Sequence, residues 1–327
     1  MICTVTVNPA IDKVIYLTRF NRDNTNRIKE TKEVLGGKGT HVSVNLSILE
    51  CVNKAFGIDF GETGRRIESL LEKEDIEMKF LHYDEGESRM NYALIEEDKT
   101  CTLISEKGKI VSKEQCQELI RKIYDEVSEG DILILSGDAS NTEIPLIYAN
   151  IIEAVADKKV KIFLDASSEN LTGSLKWKPF LIKPNEDELS QILGKEIKGE
   201  AMILEGLQKL SHTGISCIAV SCGGNGSYIW YQNEIYRVHP LKVNVMNTIG
   251  CGDAFLSGMA YGFEKGLEFT EILKIAASVS SATAESNSTV GFDRERAREL
   301  RKRVKIEKPQ MHDKATIREN IICRRDI

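Results

Sequence analysis

Asn247-Thr248-Ile249-Gly250-Cys251-Gly252-Asp253-Ala254-Phe255-Leu256-Ser257-Gly258 joins a glycine turn to an apolar helical pattern. Two glycines flank Cys251, and a carboxylate follows at once. Phe255, Met259 and Phe263 then recur at every fourth position, which puts them on one face of a helix. Upstream, Leu241-Lys242-Val243-Asn244-Val245-Met246 alternates apolar and polar residues and predicts a strand. A strand, a glycine turn and a helix start together make an anion site. Glycine lets a ligand approach the backbone, and the first helical amides have no internal partners. Asp253 is odd in such a place, because a carboxylate repels phosphate. It fits if it takes a proton from a hydroxyl that attacks that phosphate. The alternative is a tight turn with Asp253 capping the helix. This stretch alone leaves both readings open.

The wider composition narrows the field. The chain has 327 residues, 41% of them hydrophobic and 29% charged, which suits a globular fold with a sizeable core. A net charge of −6, with acids and bases mixed throughout, argues against a nucleic-acid binder that relies on a general basic field. No run is long enough to span a membrane, and the N-terminus reads as a strand rather than a signal peptide, so a cytoplasmic protein is expected. The 8 cysteines form no CxxC pair, so neither a zinc site nor a disulfide framework is predicted.

Outward from that turn and helix, the chain alternates strands and helices. Ile2 to Asn8 reads as a strand that stops at Pro9, with Asp12 at its exit. Ligands of open α/β sheets bind at such exits, although Asp12 equally suits a turn or cap. Val14 to Phe20, Asn26 to Val34, and the hairpin of Ser88 to Ile95 with Thr100 to Ile104 suggest a small β-layer apart from the main sheet. From Lys113 onward, apolar strands between amphipathic helices predict a mainly parallel sheet covered on both faces. The segment from Glu307 to Ile327 is charged and poorly periodic, and reads as an extension after a domain spanning 1–305.

Further chemistry-bearing groups punctuate this pattern. Gly36-Gly37-Lys38-Gly39 is a second glycine turn leading into a helix, and Lys38 can supply a positive charge there. It is not a Walker A loop. His41 follows and is ambiguous. Arg89 can grip a phosphate bidentately or make a cross-strand ion pair. Asn185 and Glu188 lie three apart at a helix start, so they can hold hydrated Mg2+ or simply open the helix.

Asn8-Pro9-Ala10-Ile11-Asp12, Gly36-Gly37-Lys38-Gly39, Lys183-Pro184-Asn185-Glu186-Asp187-Glu188-Leu189, Val220 to Gly226 and Thr248 to Asp253 occur in this order. In them the chain resembles the ribokinase-like, or PfkB, carbohydrate kinases, and most of all the branch of 1-phosphofructokinases and tagatose-6-phosphate kinases. The similarity runs from Met1 to about Gly291. It implies a three-layer α/β/α domain with a small β-sheet lid formed by about 12–34 and 88–105, used for homodimer contacts. It implies ATP and Mg2+ as cofactors and a sugar phosphate as the small-molecule partner. Asp253 matches the catalytic base, with Gly250, Cys251 and Gly252 offering amides to the moving phosphoryl group. Asp12, Gly37, Lys38, Gly39, His41, Arg89 and Asn91 match the acceptor side. Lys183, Asn185, Ser221, Gly223, Gly226 and Gly252, with the helix around Ala276 to Thr283, match the ATP side. Asn185 and Glu188 match the metal motif.

Four departures from the branch all touch the acceptor side. His41 stands where an asparagine usually follows the glycine loop. Ser136-Gly137-Asp138-Ala139-Ser140 replaces Ser-Gly-Ser-Leu-Pro, which puts an acid near a sugar phosphate. Thr102 to Glu106 lacks an expected Glu and Asn, and Gly57-Ile58-Asp59-Phe60-Gly61 replaces Gly-Phe-x-Gly-Gly. The expected activity is phosphorylation of fructose 1-phosphate to fructose 1,6-bisphosphate. The rivals are a tagatose-6-phosphate kinase, a kinase of an unphosphorylated sugar or nucleoside, and a non-catalytic sugar-phosphate-binding regulator.

Overall fold

Apolar runs such as Ile132 to Leu135 become central strands because helices cover both faces of the sheet they join. The structure is a computed structural model and describes residues 1–309. The chain begins β1 (Ile2–Thr6), β2 (Ala10–Leu17), β3 (Glu30–Gly36), α1 (Lys38–Ile48), β4 (Asn53–Phe60), α2 (Gly61–Leu71) and β5 (Ile76–Tyr83). It continues β6 (Arg89–Glu96), β7 (Cys101–Ser105), α3 (Lys113–Glu126), β8 (Ile132–Ser136), α4 (Ile147–Ala154), β9 (Lys161–Asp165) and α5 (Ser168–Ser174). Next come β10 (Leu181–Ile182), α6 (Glu186–Leu193), α7 (Glu200–Leu210), β11 (Cys217–Ser221), β12 (Ser227–Tyr231) and β13 (Glu234–Val238). The last are α8 (Cys251–Glu264), α9 (Phe269–Ala284), α10 (Arg294–Arg301) and β14 (Ile306–Glu307).

The main sheet has the order β14-β13-β12-β11-β10-β9-β8-β1-β4-β5. From β5 to β11 every pairing is parallel, and β12, β13 and β14 extend that edge antiparallel. Alternate residues of each strand feed opposite cores. Cys3 and Val5 pack with α3, α4, α6 and α7, while Ile2 packs with α1, α8 and α9. The expected α/β/α sandwich is therefore present. Strand order reverses between β1 and β8, because the chain first adds β4 and β5 on one side and then returns to the other. Clefts of doubly wound sheets open at the carboxyl ends of such neighbours.

The lid is a separate sheet of order β3-β2-β6-β7. Its central strands β2 and β6 are parallel, with Asp12 opposite Asn91. Asp12 thus lies within a strand, not in a turn or at a cap.

Other sequence expectations are corrected. Leu241 to Met246 is irregular rather than a strand. The free side of β13 is taken by β14, with Val238 opposite Ile306, so the alternating segment has no edge to join. Ile306–Glu307, expected at the start of an extension, therefore belongs to the main sheet. The rest of that expected extension lies outside the described residues. The edge strand β5 and the short helix α5 went unread in the sequence.

Candidate functional site

Gly250 sets the entry to α8 with φ 77, and a Cβ there would lie 2.1 Å from the Thr289 carbonyl oxygen. Only glycine fits both demands. Asp253 follows in the first helical turn, buried, and the helix has no side-chain cap. Its Oδ2 instead lies 2.8 Å from His41 Nδ1, which disposes of the capping alternative. His41 Nε2 lies 2.9 Å from the Leu35 carbonyl oxygen. A carbonyl can only accept, so Nε2 donates to Leu35, and a second proton on Nδ1 would pair the imidazole with an ionised Asp253. The direction of its pKa agrees. Burial pulls it down, but the bond to Asp253 and the charges of Asp253 and Asp12 outweigh that and hold it above the usual value.

Asp253 borders a cleft of about 320 Å3 at the carboxyl ends of β1 and β8, also lined by Asp12, Gly37, Lys38, His41, Arg89 and Asn91. A second cavity, of about 530 Å3, is lined by Ser221, Gly223, Gly226 and Cys251, by Ala277 to Ala284 of α9, and by the irregular Leu241 to Val245. The two cavities share Lys183 and Gly252 as common wall. A group transferred between occupants of these cavities would pass beside Asp253.

The acceptor-side residues are tightly tied. Asn91 Nδ2 donates to Asp12 Oδ1 at 2.7 Å, and a Cβ on Gly36 would meet that oxygen at 2.1 Å. Burial raises the Asp12 pKa, with His41, Asn91 and Arg89 pulling the other way. Arg89 Nε donates to the Asn8 carbonyl at 3.1 Å, and its Nη1 lies 3.9 Å from Asp138 Oδ2. The expected acid of the Ser136-Ser140 loop therefore does face the lid arginine. Gly39 does something different from the expectation. It borders neither cavity, and a Cβ there would strike Thr6 Oγ1 at 2.3 Å, so it lets α1 cross β1 closely.

Asp165 was missed at the sequence level, although an acid directly after the buried run Ile162 to Leu164 was a usable signal. It is 1% exposed and bridges Lys38 at 3.3 Å and Lys183 at 3.2 Å. Burial raises its pKa, but the two ammonium groups outweigh burial and hold it below the usual value. Asp165 in turn holds the Lys38 pKa above its usual value, against burial. Asn8, part of the opening motif but given no role in the sequence reading, also lines the acceptor cleft.

Asn185 and Glu188 open α6 as a reciprocal capping box. Asn185 Oδ1 accepts from the Glu188 amide at 2.8 Å, and Glu188 Oε2 accepts from the Asn185 amide at 2.9 Å. Neither side chain borders the two cavities. The pair still offers Glu188 Oε1, an oxygen donor of the kind Mg2+ takes through water, so the donor set fits that ion.

An α/β body with two abutting cavities at its strand ends has the construction of a two-substrate transferase. The chain belongs to the pfkB family carbohydrate kinases, whose profile matches residues 5–295. It is 31% identical over 284 residues to a 1-phosphofructokinase of Bacillus subtilis, covering 87% of this chain and 92% of that one. It is 29% identical over 309 residues to a tagatose-6-phosphate kinase of Staphylococcus epidermidis, covering 94% and 99%. The fold matches the solved structure of phosphofructokinase-2 from Escherichia coli in complex with substrates and products. There the TM-score is 0.87 at 21% identity, covering 92% of this chain and 98% of that one. Among the described residues no helix is long and apolar enough to cross a membrane.

Proposed function

We propose that the chain transfers the γ-phosphoryl group of ATP to the 6-hydroxyl of fructose 1-phosphate, giving fructose 1,6-bisphosphate and ADP in the cytoplasm. The observation that carries this reading is the position of Asp253, in the acceptor cleft and next in sequence to Gly252, which both cavities share. The relative named 1-phosphofructokinase supports the choice of acceptor.

On this reading Asp253 takes the hydroxyl proton as the sugar oxygen bonds to the γ-phosphorus. The bond from that phosphorus to its bridging oxygen breaks, and ADP leaves. The amides of Gly250 to Gly252 hold the charge that builds on the transferred group. Lys183 lies in the wall between donor and acceptor and steadies the phosphates. The second cavity takes the nucleotide, between the glycine turn after β11 and α9. Glu188 and Asn185 would hold Mg2+, which would supply charge neutralisation at the phosphates. Asp12 and Asn91 orient the sugar hydroxyls, while Arg89 and Lys38 meet the phosphate already on it.

One contact favours a second reading. Asp138 Oδ2 lies 3.9 Å from Arg89 Nη1 and already gives that guanidinium a carboxylate. An acceptor with a hydroxyl at this end, or with its phosphate placed differently as in tagatose 6-phosphate, avoids the repulsion. ADP release measured on fructose 1-phosphate, tagatose 6-phosphate and the free sugars decides between them. The first reading requires fructose 1-phosphate to give the highest kcat/KM. Asp253→Asn is expected to cut kcat by about 10²–10⁴-fold with acceptor binding retained. Binding without turnover in the unaltered protein would instead mark it as a regulator.

A homodimer through the lid fits the exposed apolar residues there. Phe20 is 37% exposed, Ile28 55%, Leu103 52% and Ile104 50%. Exposed apolar residues on the lid match a second copy better than solvent, and light scattering of the full chain reads the stoichiometry.

A further inference from the structure

Asp59, Glu68 and His82 come together on the α2 side of the sheet edge, away from the reaction just described. None of them borders either cavity. Asp59 is the penultimate residue of β4, His82 is its register partner on β5, and Glu68 descends from α2. One ligand atom from each lies within 4.8 Å of the other two. His82 Nδ1 is 2.6 Å from Asp59 Oδ1 and 4.0 Å from Glu68 Oε2.

We propose that this triad is a binding site for a divalent transition-metal ion of the zinc class, tying α2 to β4 and β5. The first support is an unmatched buried oxygen. Asp59 is 0% exposed, and its Oδ2 has no hydrogen-bond partner. A buried carboxylate oxygen left unpaired is costly, and a bound cation removes the cost. The second is a space kept for that carboxylate. A Cβ on Gly64 of α2 would lie 2.6 Å from Asp59 Oδ1, so only glycine lets the acid sit beneath the helix. The third is the chemistry of the donors. One imidazole with two carboxylates suits zinc and its neighbours, whereas Mg2+ prefers oxygen alone. Bonds of about 2.0–2.2 Å to each donor fit a triangle of this size after small side-chain shifts.

The outer surroundings agree. Asp84 Oδ1 lies 3.4 Å from His82 Nε2. Asp84 is largely exposed and His82 Nε2 makes no hydrogen bond, so its charge only favours a proton on Nε2, the form whose Nδ1 lone pair could face the ion. Metal binding needs the ligands deprotonated, so the site is stronger at higher pH. Three protein ligands leave the ion an open position for water.

The test uses the full chain, stripped with a chelator and then titrated with Zn2+ by calorimetry, with Co2+ as a spectroscopic stand-in. One Zn2+ per chain is expected, with a rise in Tm on binding. His82→Gln and Glu68→Gln each weaken zinc binding more than about tenfold and abolish the Tm rise. Glu68 is on the partly exposed face of a helix, so its variant folds even where a change at Asp59 does not. His239→Gln, at a different surface histidine, leaves binding unchanged. The proposal is overturned if the unaltered chain takes up no zinc at micromolar concentrations. It is equally overturned if either triad variant binds zinc as the unaltered chain does.

Discussion

His41 Nδ1 stands 2.8 Å from Asp253 Oδ2, so the proposed base shares a buried ion pair with a residue on α1. Asp12 Oδ2 is a further 3.8 Å contact of the same ring, and the imidazolium links the two acids of the cleft. Its pKa is raised, so the sign of the linkage is fixed. The stability it contributes is complete below its unfolded value near 6.5 and is lost as pH rises through the folded value. His41→Asn is therefore expected to be most damaging in mild acid. The Tm difference from the unaltered protein should shrink as pH climbs from 6 towards 9. The limb of the kcat profile that belongs to the imidazolium should vanish with it. A Tm difference that stays constant across this range would show that the ring is neutral.

Asp165 holds two lysines from opposite sides of the cleft, Lys38 of α1 and Lys183 of the shared wall. Lys38 is partly exposed, so most of the consequence of losing the acid falls on buried Lys183. Asp165→Asn leaves that ammonium without its counter-charge and should destabilise the protein by about 3–5 kcal/mol. Denaturant titration reads this directly. Lys183→Met in the same background removes the orphaned charge and should recover part of the loss. A double variant no more stable than Asp165→Asn alone would refute the pairing.

Asp138 presents a carboxylate to Arg89 where the resemblance leads one to expect serine, and this bears on the acceptor. A phosphate brought to Arg89 must compete with that carboxylate. Asp138→Ser should lower KM for a phosphorylated ketohexose by up to about fivefold, the worth of a partly exposed charge contact of about 1 kcal/mol. KM for ATP should not move. The gain should fade in high salt, because screening already weakens the repulsion. If instead KM for an unphosphorylated sugar rises, Asp138 is a ligand of sugar hydroxyls and the second reading of the acceptor stands.

Much of this site was legible because its signals are local. Gly250, Gly252 and Asp253 adjoin one another in sequence, and their turn follows from glycine geometry. The strand-helix alternation after Lys113 needed only apolar period and length. What stayed hidden depends on pairing across the chain. Leu241 to Met246 has a strand pattern, but β14 occupies the edge it would need. Asp165 looks like any strand-end acid until Lys38 and Lys183 converge on it. His41 was ambiguous because its partners, Leu35 and Asp253, lie 6 and 212 residues away. Asp59 was noticed only as a departure from a glycine motif, since its partner strand β5 had not been read.

Asp59 carries the last prediction, made for the metal-free protein in chelator. Its carboxyl is fully buried, eased by its bond to His82 and by Arg65 but repelled by Glu68, with exposed Asp84 beyond the ring. Burial is the largest cause and lifts the pKa from 3.8 to about 6. A raised carboxyl works in the opposite sense to a salt-bridged one. Its stabilising contribution is complete below pH 3.8 and is lost as pH rises through about 6. The difference between the two values corresponds to roughly 3 kcal/mol at full ionisation. Asp59→Asn keeps an acceptor for His82 and has nothing to ionise. The variant should therefore gain on the unaltered protein between about pH 4 and pH 6 and gain little more above pH 7. Tm measured across that range reads the gain. A Tm gap that does not change with pH would mean that this acid ionises as freely as one in water, and that its burial has no electrostatic cost for a cation to relieve.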